Sequence, residues 1–346
     1  PARPIPSSKI GIHFCTDPKA AGSKRRTIAW IGLVAVGLLM AIPSLALEGV
    51  ELARYRLGTL EQAVHDLIRI HGADYPSGGA FLDRLAGLRQ RLDSGQAGGA
   101  IEADVAALQQ EALLSNPILE SRALLVVRRR PVRRAGGGPG LDIAMPSNHE
   151  CNSSLARTGY DNELCVLSSI SPRGELRRLY RPPAGGYVGE IDLHWDGDRL
   201  LFTQSDAKSW KVFEMRSDGG GIRQVSAMPD DVDSFDACYL PNGKIVFGST
   251  ASFQSVPCWH GLRRVATLYR MDADGSRIRQ LCFDQDHDLH PTVLPSGQVL
   301  YHRWDYTGIN HIYLRELMLM NPDGAGQRAI YGSSSWYPNA LYFPRP

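Results

Sequence analysis

Two kinds of tight turn alternate along the second half of this chain, and their spacing constrains the fold more than any other feature. One kind recurs as Pro172-Arg-Gly174, Asp218-Gly219, Asp274-Gly275 and Asp323-Gly324. The other recurs as Asp196-Gly197, Asn242-Gly243 and Ser296-Gly297, at intervals of 46 and 54 residues. Asp-Gly and Asn-Gly supply the positive backbone angles that two-residue hairpins need. Each turn of the second kind precedes an alternating strand (RLLF, KIVF, QVLY), and three of the first kind lead into Arg-Gln or its inverse (GIRQV, SRIRQL, AGQRAI). Two hairpins per period give four strands per unit, which reads as the blade of a β-propeller rather than as half of a sandwich. About four blades can be counted, and residues 336–343 read as the first strand of another.

Composition agrees. At 346 residues, with 43% hydrophobic and 21% charged, the chain is neither disordered nor a multi-span membrane protein. Thirty-eight Lys and Arg against 36 Asp and Glu leave a net charge of +2, which gives no electrostatic argument for nucleic acid.

Lys24-Arg25-Arg26 precedes an uncharged stretch that ends in Ser44-Leu45-Ala46, a basic, apolar and small-residue order typical of a secretory signal peptide. The same run, residues 27–47, is just long enough for an uncleaved single-span anchor. Either reading puts the rest of the chain outside the cytoplasm. Residues 1–23 carry no fold signal and read as unstructured sequence or a misassigned start, and the first residue, Pro1, is compatible with a fragment. Residues 48–115 predict three short amphipathic helices. The first opens at a capping box, Thr59 to Gln62, with Leu60, Val64, Leu67 and Ile68 on one face. Phe81, Leu85, Leu88 and Leu92 repeat that spacing, as do Ile101, Val105, Leu108 and Ala112. The basic run from Arg128 to Arg134 leads into glycines 136–138 and reads as a solvated loop.

The strings NPILE, YDNELCVL, GGYVGEIDLHWDGDRLLF, DVDSFDACYLPNGKIVFGSTASF, LYRMDADGSRIRQLCFDQDHD and PTVLPSGQVLYHRWDYT resemble the middle propeller domain of the hydrazine synthase alpha subunit family. The repeat unit is similar to that of TolB-type propellers. The resemblance covers about residues 110–346 and implies a six-bladed ring, of which this chain would hold an open arc unless further sequence completes it. It also implies c-type haems and a zinc site elsewhere in the enzymes of the family. No cysteine here begins a Cys-x-x-Cys-His motif, so no covalent haem and no other cofactor is expected in this chain, and haem would belong to regions beyond it. The family commonly has further cysteines where this chain has Ser252 and His290.

Extracytoplasmic placement makes disulfides such as Cys151–Cys165 or Cys238–Cys258 reasonable, although spacing does not fix the connectivity. Two acidic stretches, with Asp233 and Asp236 in one and Asp284, Asp286, His287 and His290 in the other, fall at equivalent places in successive blades. They are candidate ligands for a divalent cation. The competing reading is that they cap turns and tie neighbouring blades together. Trp259, His260, Arg303, Trp304, Tyr306 and His311 lie in the two longer insertions, where a propeller would present a contact surface. Hydrolase and nucleotide-binding templates are missing: there is no Gly-x-Ser-x-Gly, no His-Glu-x-x-His and no phosphate-binding glycine loop.

The expected fold is therefore mainly β: a small helical domain over 48–115, then a partial TolB-like propeller over 116–346. The expected role is an extracytoplasmic binding or scaffold module with no catalytic residues of its own. Its partners would be a protein or the remaining blades of a larger protein, not nucleic acid, with membrane contact only through 27–47. The alternatives are a fragment of a haem-containing oxidoreductase subunit and a periplasmic protein-interaction propeller.

Overall fold

The computed structural model describes residues 34–95, 99–119, 123–130, 132–133, 141–142, 145–146, 150–170, 174–306, 314–332 and 341–346. For residues 34–50, 99, 132–133, 141–142 and 258 it describes the backbone alone. The chain falls into two compact units. One runs through the helices to Leu124 and includes Leu167–Glu175; the other holds Leu125–Val166 and Leu176–Pro346.

The helical unit is built from α1 (Val34–His71), α2 (Gly78–Asp93) and α3 (Gly99–Leu114). Its core is the set that helical periodicity selects: Leu60, Val64 and Leu67; Phe81, Leu85, Leu88 and Leu92; Ile101, Val105, Leu108 and Ala112. Ala53, Leu57 and Tyr75 complete it, and the Tyr75 hydroxyl donates to the Ala112 carbonyl at 2.8 Å. Thr59 is not the start of a helix. It lies inside α1, and its hydroxyl donates back to the carbonyls of Tyr55 and Arg56 at 3.1 and 3.0 Å. Such back-bonding satisfies the hydroxyl within a continuing helix, so the capping pattern is overridden by apolar residues upstream that extend the helical face. The expected leader or anchor lies partly outside the described residues; from Val34 its backbone belongs to α1. No helix among the described residues is long and apolar enough to cross a membrane.

The second unit is mainly β. Its first sheet contains β1 (Leu124–Arg129), with the small β2 (Val132–Arg133) and β3 (Leu141–Asp142) hairpin following, then β4 (Asn162–Leu167) and β5 (Leu176–Tyr180) in the order β1-β4-β5. Three four-stranded antiparallel sheets follow in chain order. They are β6 (Val188–Leu193), β7 (Arg199–Ser205), β8 (Trp210–Arg216) and β9 (Arg223–Gln224); β10 (Ser234–Tyr239), β11 (Ile245–Ser249), β12 (Thr267–Met271) and β13 (Arg279–Gln280); and β14 (Asp288–Val293), β15 (Val299–Trp304), β16 (Arg315–Met320) and β17 (Arg328–Tyr331). Arg128 and Arg129 thus lie on a strand, not in a solvated loop: Arg129 shares the inward face of Leu125 and Val127 and donates to the Tyr187 hydroxyl, while Arg128 alternates to the other face.

The turns do what their chemistry predicts. Gly197, Gly243 and Gly297 join the first two strands of their sheets, and Gly219, Gly275 and Gly324 join the last two, all with positive φ. At Gly275 (φ +87°) there is a second reason for glycine: a Cβ would run into the carbonyl oxygen of Val225, in the preceding sheet.

Apolar cores form where consecutive sheets face each other. Leu164, with Leu125, Val127 and Leu179, meets Val188, Leu200, Phe202 and Met215. Leu201, Val212 and Val225 meet Tyr239, Ile245, Phe247 and Met271. Leu240, Val246, Leu268 and Cys282 meet Val299, Tyr301, Met318 and Met320. Burying such a side chain contributes about 1.5–3 kcal/mol, so the two middle sheets are each held by both neighbours in the sequence rather than by one opposing layer. Four successive meander sheets packed face to face in chain order are the architecture of a TolB-like propeller.

Candidate functional site

The first strand of each four-stranded sheet carries the same irregularity. In β6 the pairing jumps from Gly189↔Thr203 to Asp192↔Leu201, so Glu190 and Ile191 oppose the single residue Phe202. In β10 and β14 the corresponding pairs are Asp236 with Ala237 against Phe247, and His290 with Pro291 against Tyr301. The first residue of each bulge has left-handed backbone: φ is +50° at Glu190, +50° at Asp236 and +55° at His290. Non-glycine residues rarely take that conformation, and bulges of this kind re-aim a side chain away from the ladder. Phe343 repeats it at φ +47°, 53 residues beyond His290. The aromatic residue opposite each bulge is fully buried and packs in a seam, which pins the register on both sides.

Asp236, His290 and Phe343 meet in turn. His290 Nε2 lies 3.9 Å from Asp236 Oδ2, and the His290 ring stacks on Phe343 with centroids 3.8 Å apart. On its other side His290 Nδ1 is 3.0 Å from His302 Nδ1 of β15, and the buried Arg315 guanidinium of β16 donates to His302 Nε2. Arg315 also lies over the Tyr342 ring at 4.4 Å. Burial, reinforced by the nearby Arg315 charge, holds both imidazoles well below the usual histidine range, so both rings are neutral at physiological pH. Glu190 is held apart from this group: its Oε1 accepts from Asn152 Nδ2 at 2.7 Å and from the Tyr187 hydroxyl at 3.2 Å. Arg129 donates to the same hydroxyl at 2.6 Å, and burial drives the Tyr187 phenol far up. The outcome is an inner-strand line of Glu190, Asp236 and His290 with backbone constant and side-chain chemistry varied, extended by His302 of β15, Arg315 of β16 and the aromatic Tyr342 and Phe343.

The acidic candidates divide between this line and a structural role. Asp236 and His290 belong to the bulges. Asp233 precedes β10 and its Oδ1 accepts the Trp210 N–H of the preceding sheet at 3.0 Å, with Arg157 Nη2 on Oδ2 at 3.3 Å. His287 holds the equivalent place before β14: its Nδ1 accepts the Ala266 N–H of the preceding sheet at 3.1 Å. Asp286 accepts the Tyr306 N–H at 2.8 Å. Asp284 pairs with Arg303 at 2.5 Å, and Arg303 also binds Asp288 at 2.9 Å. Asp233 and His287 therefore tie each sheet to the one before it, while Asp284 and Asp286 hold Arg303 and the chain just after β15. Among the described residues, the donors that come close to a metal-binding arrangement lie elsewhere, in the turn before β7, where atoms of His194, Asp196 and Asp198 lie within 4.8 Å of one another. Arg199 already donates to both Asp198 oxygens and contacts His194 Nε2 at 2.6 Å, which places a fixed cation against that turn.

The contact surface expected in the insertions is corrected at two positions. Trp304 is fully buried, stacked on His287 and Tyr306 and packed with Val256 and Val265. Arg303 is drawn inward by Asp284 and Asp288. Val256 and Val265, from the connection between β11 and β12, cover Trp304, and two carboxylates turn Arg303 inward. Trp259 and Tyr306 are half-buried against the same cluster, His260 is exposed on a left-handed residue, and His311 lies outside the described residues. The disulfide expected between Cys151 and Cys165 does not form: both are buried thiols. Cys151 packs with Tyr160 and Tyr187, while Cys165 lies by Glu163. Cys238 is likewise a thiol, in the seam with Leu240 and Val246, and the Cys258 side chain lies outside the described residues.

Sequence reasoning missed Glu190, His302, Arg315, Tyr342 and Phe343. Aligning the repeats on Asp236 and His290 brings Glu190 to the same place. Pro291, which cannot donate to a ladder inside an inner strand, also marks the bulge.

No protein-family model and no curated protein matches the sequence. Solved structures similar to this chain include a putative TolB from Agrobacterium tumefaciens, 18% identical over 49% of this chain and 56% of that one, with a TM-score of 0.39. The hydrazine synthase of Kuenenia stuttgartiensis is 18% identical over 61% of this chain and 32% of that one, with a TM-score of 0.47. TolB from Acinetobacter baumannii is 13% identical over 67% and 60%, with a TM-score of 0.39. The chain thus spans between about a third and three-fifths of the length of these proteins. At these identities the likeness is one of fold.

Proposed function

We propose that this chain is a propeller-type binding module that works outside the cytoplasm as part of a larger protein, meeting a partner at the partly exposed Glu190 and Phe343 of the bulge line, whose Asp236 and His290 are buried. The observation that carries this reading is the repeated left-handed bulge. Three sheets keep one uncommon backbone conformation while the residue it presents changes from Glu to Asp to His. A repeated geometry with varied chemistry suits recognition on a rigid scaffold, with Glu190 and Phe343 its accessible members, and strained backbone concentrates at such places. The extracytoplasmic part rests on the order of residues from Lys24 to Ala46.

The test is to immobilise the full chain and the variant Glu190→Gln/Asp236→Asn/His290→Gln, and to identify by mass spectrometry what each retains from an envelope extract. A partner held by the parent chain and lost by the variant supports the reading; identical retention by both overturns it. The rival reading, a haem-bearing oxidoreductase subunit, rests on the resemblance of strings such as GGYVGEIDLHWDGDRLLF to the hydrazine synthase alpha family. A haem absorption band in protein purified from the full-length gene would favour it.

A further inference from the structure

The first sheet has two unlike faces. Leu125 and Val127 of β1, Leu164 of β4 and Leu179 of β5 enter the seam with the second sheet. Charged side chains from these strands and their ends gather apart from that seam. Arg128 Nη2 binds Glu163 Oε2 at 2.8 Å; Arg178 and Arg181 bind Glu163 Oε1 at 3.1 and 3.0 Å. Arg130 Nε and Arg181 Nη2 bind the two oxygens of Asp161 at 3.0 and 2.5 Å. Glu163 is covered, with 6% of its side chain exposed, whereas the arginines above it are open: 34% for Arg128, 68% for Arg130, 60% for Arg178 and 48% for Arg181. Although burial opposes it, the guanidiniums beside Glu163 hold its carboxyl below the usual range, so it stays charged and keeps the arginines in place.

Four guanidiniums over two carboxylates leave two positive charges in excess on one small face. Each guanidinium has five donors, and the two carboxylates engage only one or two nitrogens of each. Apart from Arg128 Nε, which is buried, the remaining N–H groups belong to side chains open to solvent, and the repulsion among the four cations is relieved only in part. A doubly charged oxyanion answers both needs, because its oxygens take several fork-like hydrogen bonds at once. We propose that the outward face of the β1-β4-β5 sheet is a binding site for a phosphate group, held by Arg128, Arg130, Arg178 and Arg181 over the buried Glu163. This site is separate from the inner-strand line and independent of the function proposed for it.

The experiment uses the full chain and two probes. Inorganic phosphate is titrated calorimetrically against sodium chloride at matched ionic strength, and sedimentation is measured with vesicles of phosphatidylglycerol and phosphatidylcholine against phosphatidylcholine alone. The variant Arg130→Gln/Arg178→Gln removes two exposed forks and leaves Arg128 and Arg181 on the buried carboxylate; Arg130→Gln alone serves if the double variant does not fold. Phosphate binding beyond the chloride response, weakened about tenfold or more in the variant, supports a free phosphate-bearing ligand. Sedimentation that needs phosphatidylglycerol and is lost in the variant supports a lipid headgroup as the source. Absence of both, or either response unchanged in the variant, overturns the site and leaves a surface ion-pair lattice.

Discussion

His290 and His302 face each other Nδ1 to Nδ1 at 3.0 Å, and the contact fixes the proton on each ring. A guanidinium only donates, so Arg315 makes His302 Nε2 an acceptor and puts that ring's proton on Nδ1. His302 then donates to His290, whose own proton sits on Nε2, towards Asp236. Replacing His302 by Leu strips a buried guanidinium of its imidazole acceptor and should cost about 3 kcal/mol. Denaturant unfolding of His302→Leu and His302→Gln measures this; equal stability of His302→Leu and the parent would refute the arrangement.

The same pair sets a pH dependence. Both imidazoles are held well below the ordinary value of 6.5, first by burial, so below that pH the unfolded chain binds protons that the folded chain refuses. Stability is complete above 6.5 and falls as the pH drops beneath it, by up to about 1.4 kcal/mol per pH unit for each ring. Urea midpoints between pH 7.5 and 5 should fall more steeply for the parent than for His302→Gln.

Asp288 acts with the opposite sign. Burial pushes its carboxyl up to about 7 against the pull of Arg303. The folded chain therefore keeps a proton that the unfolded chain has already lost, and this contribution declines as pH rises from about 4 towards 7. Asp288→Asn removes the slope. A carboxyl carbon titration by NMR with its midpoint below pH 5 would contradict it.

Gly275 and Gly197 separate backbone strain from steric overlap. Both have positive φ, but a Cβ at Gly197 meets nothing within 4 Å while one at Gly275 strikes Val225 O of the preceding sheet. Gly197→Ala should cost about 1 kcal/mol and Gly275→Ala about 2–3 kcal/mol or more. Thermal melting of the two variants reads the difference directly.

Cys151 is buried, which pushes its thiol up to about 11, so it is protonated and shielded at pH 8. Alkylation of the native chain should leave Cys151 unmodified, and alkylation in denaturant without reductant should label both Cys151 and Cys165. Failure of Cys151 and Cys165 to label in denaturant would restore the disulfide.

Much of the β architecture was legible because its signals are local. An Asp-Gly or Asn-Gly pair sets its own backbone angles, and alternation in RLLF or KIVF marks a buried face wherever the strand lies. The acidic stretches were half legible: position in the repeat placed Asp233 and His287 before equivalent strands, where both accept an N–H from the sheet before. Trp304 was misread because its burial depends on Val256 and Val265, which belong to another sheet's insertion. Thr59 was misread because a capping box is only an option, which a longer helix declines.

By itself the sequence determined the repeating unit, its turns and the apolar faces that become seams, since each follows from a few neighbouring residues. Tertiary structure alone decided that Asp236, His290, His302, Arg315 and Phe343 form one chain of contacts and that four arginines share one face. Those neighbours lie on different strands, and only two-against-one pairing at a bulge and the stacking of sheets bring such side chains within bonding distance.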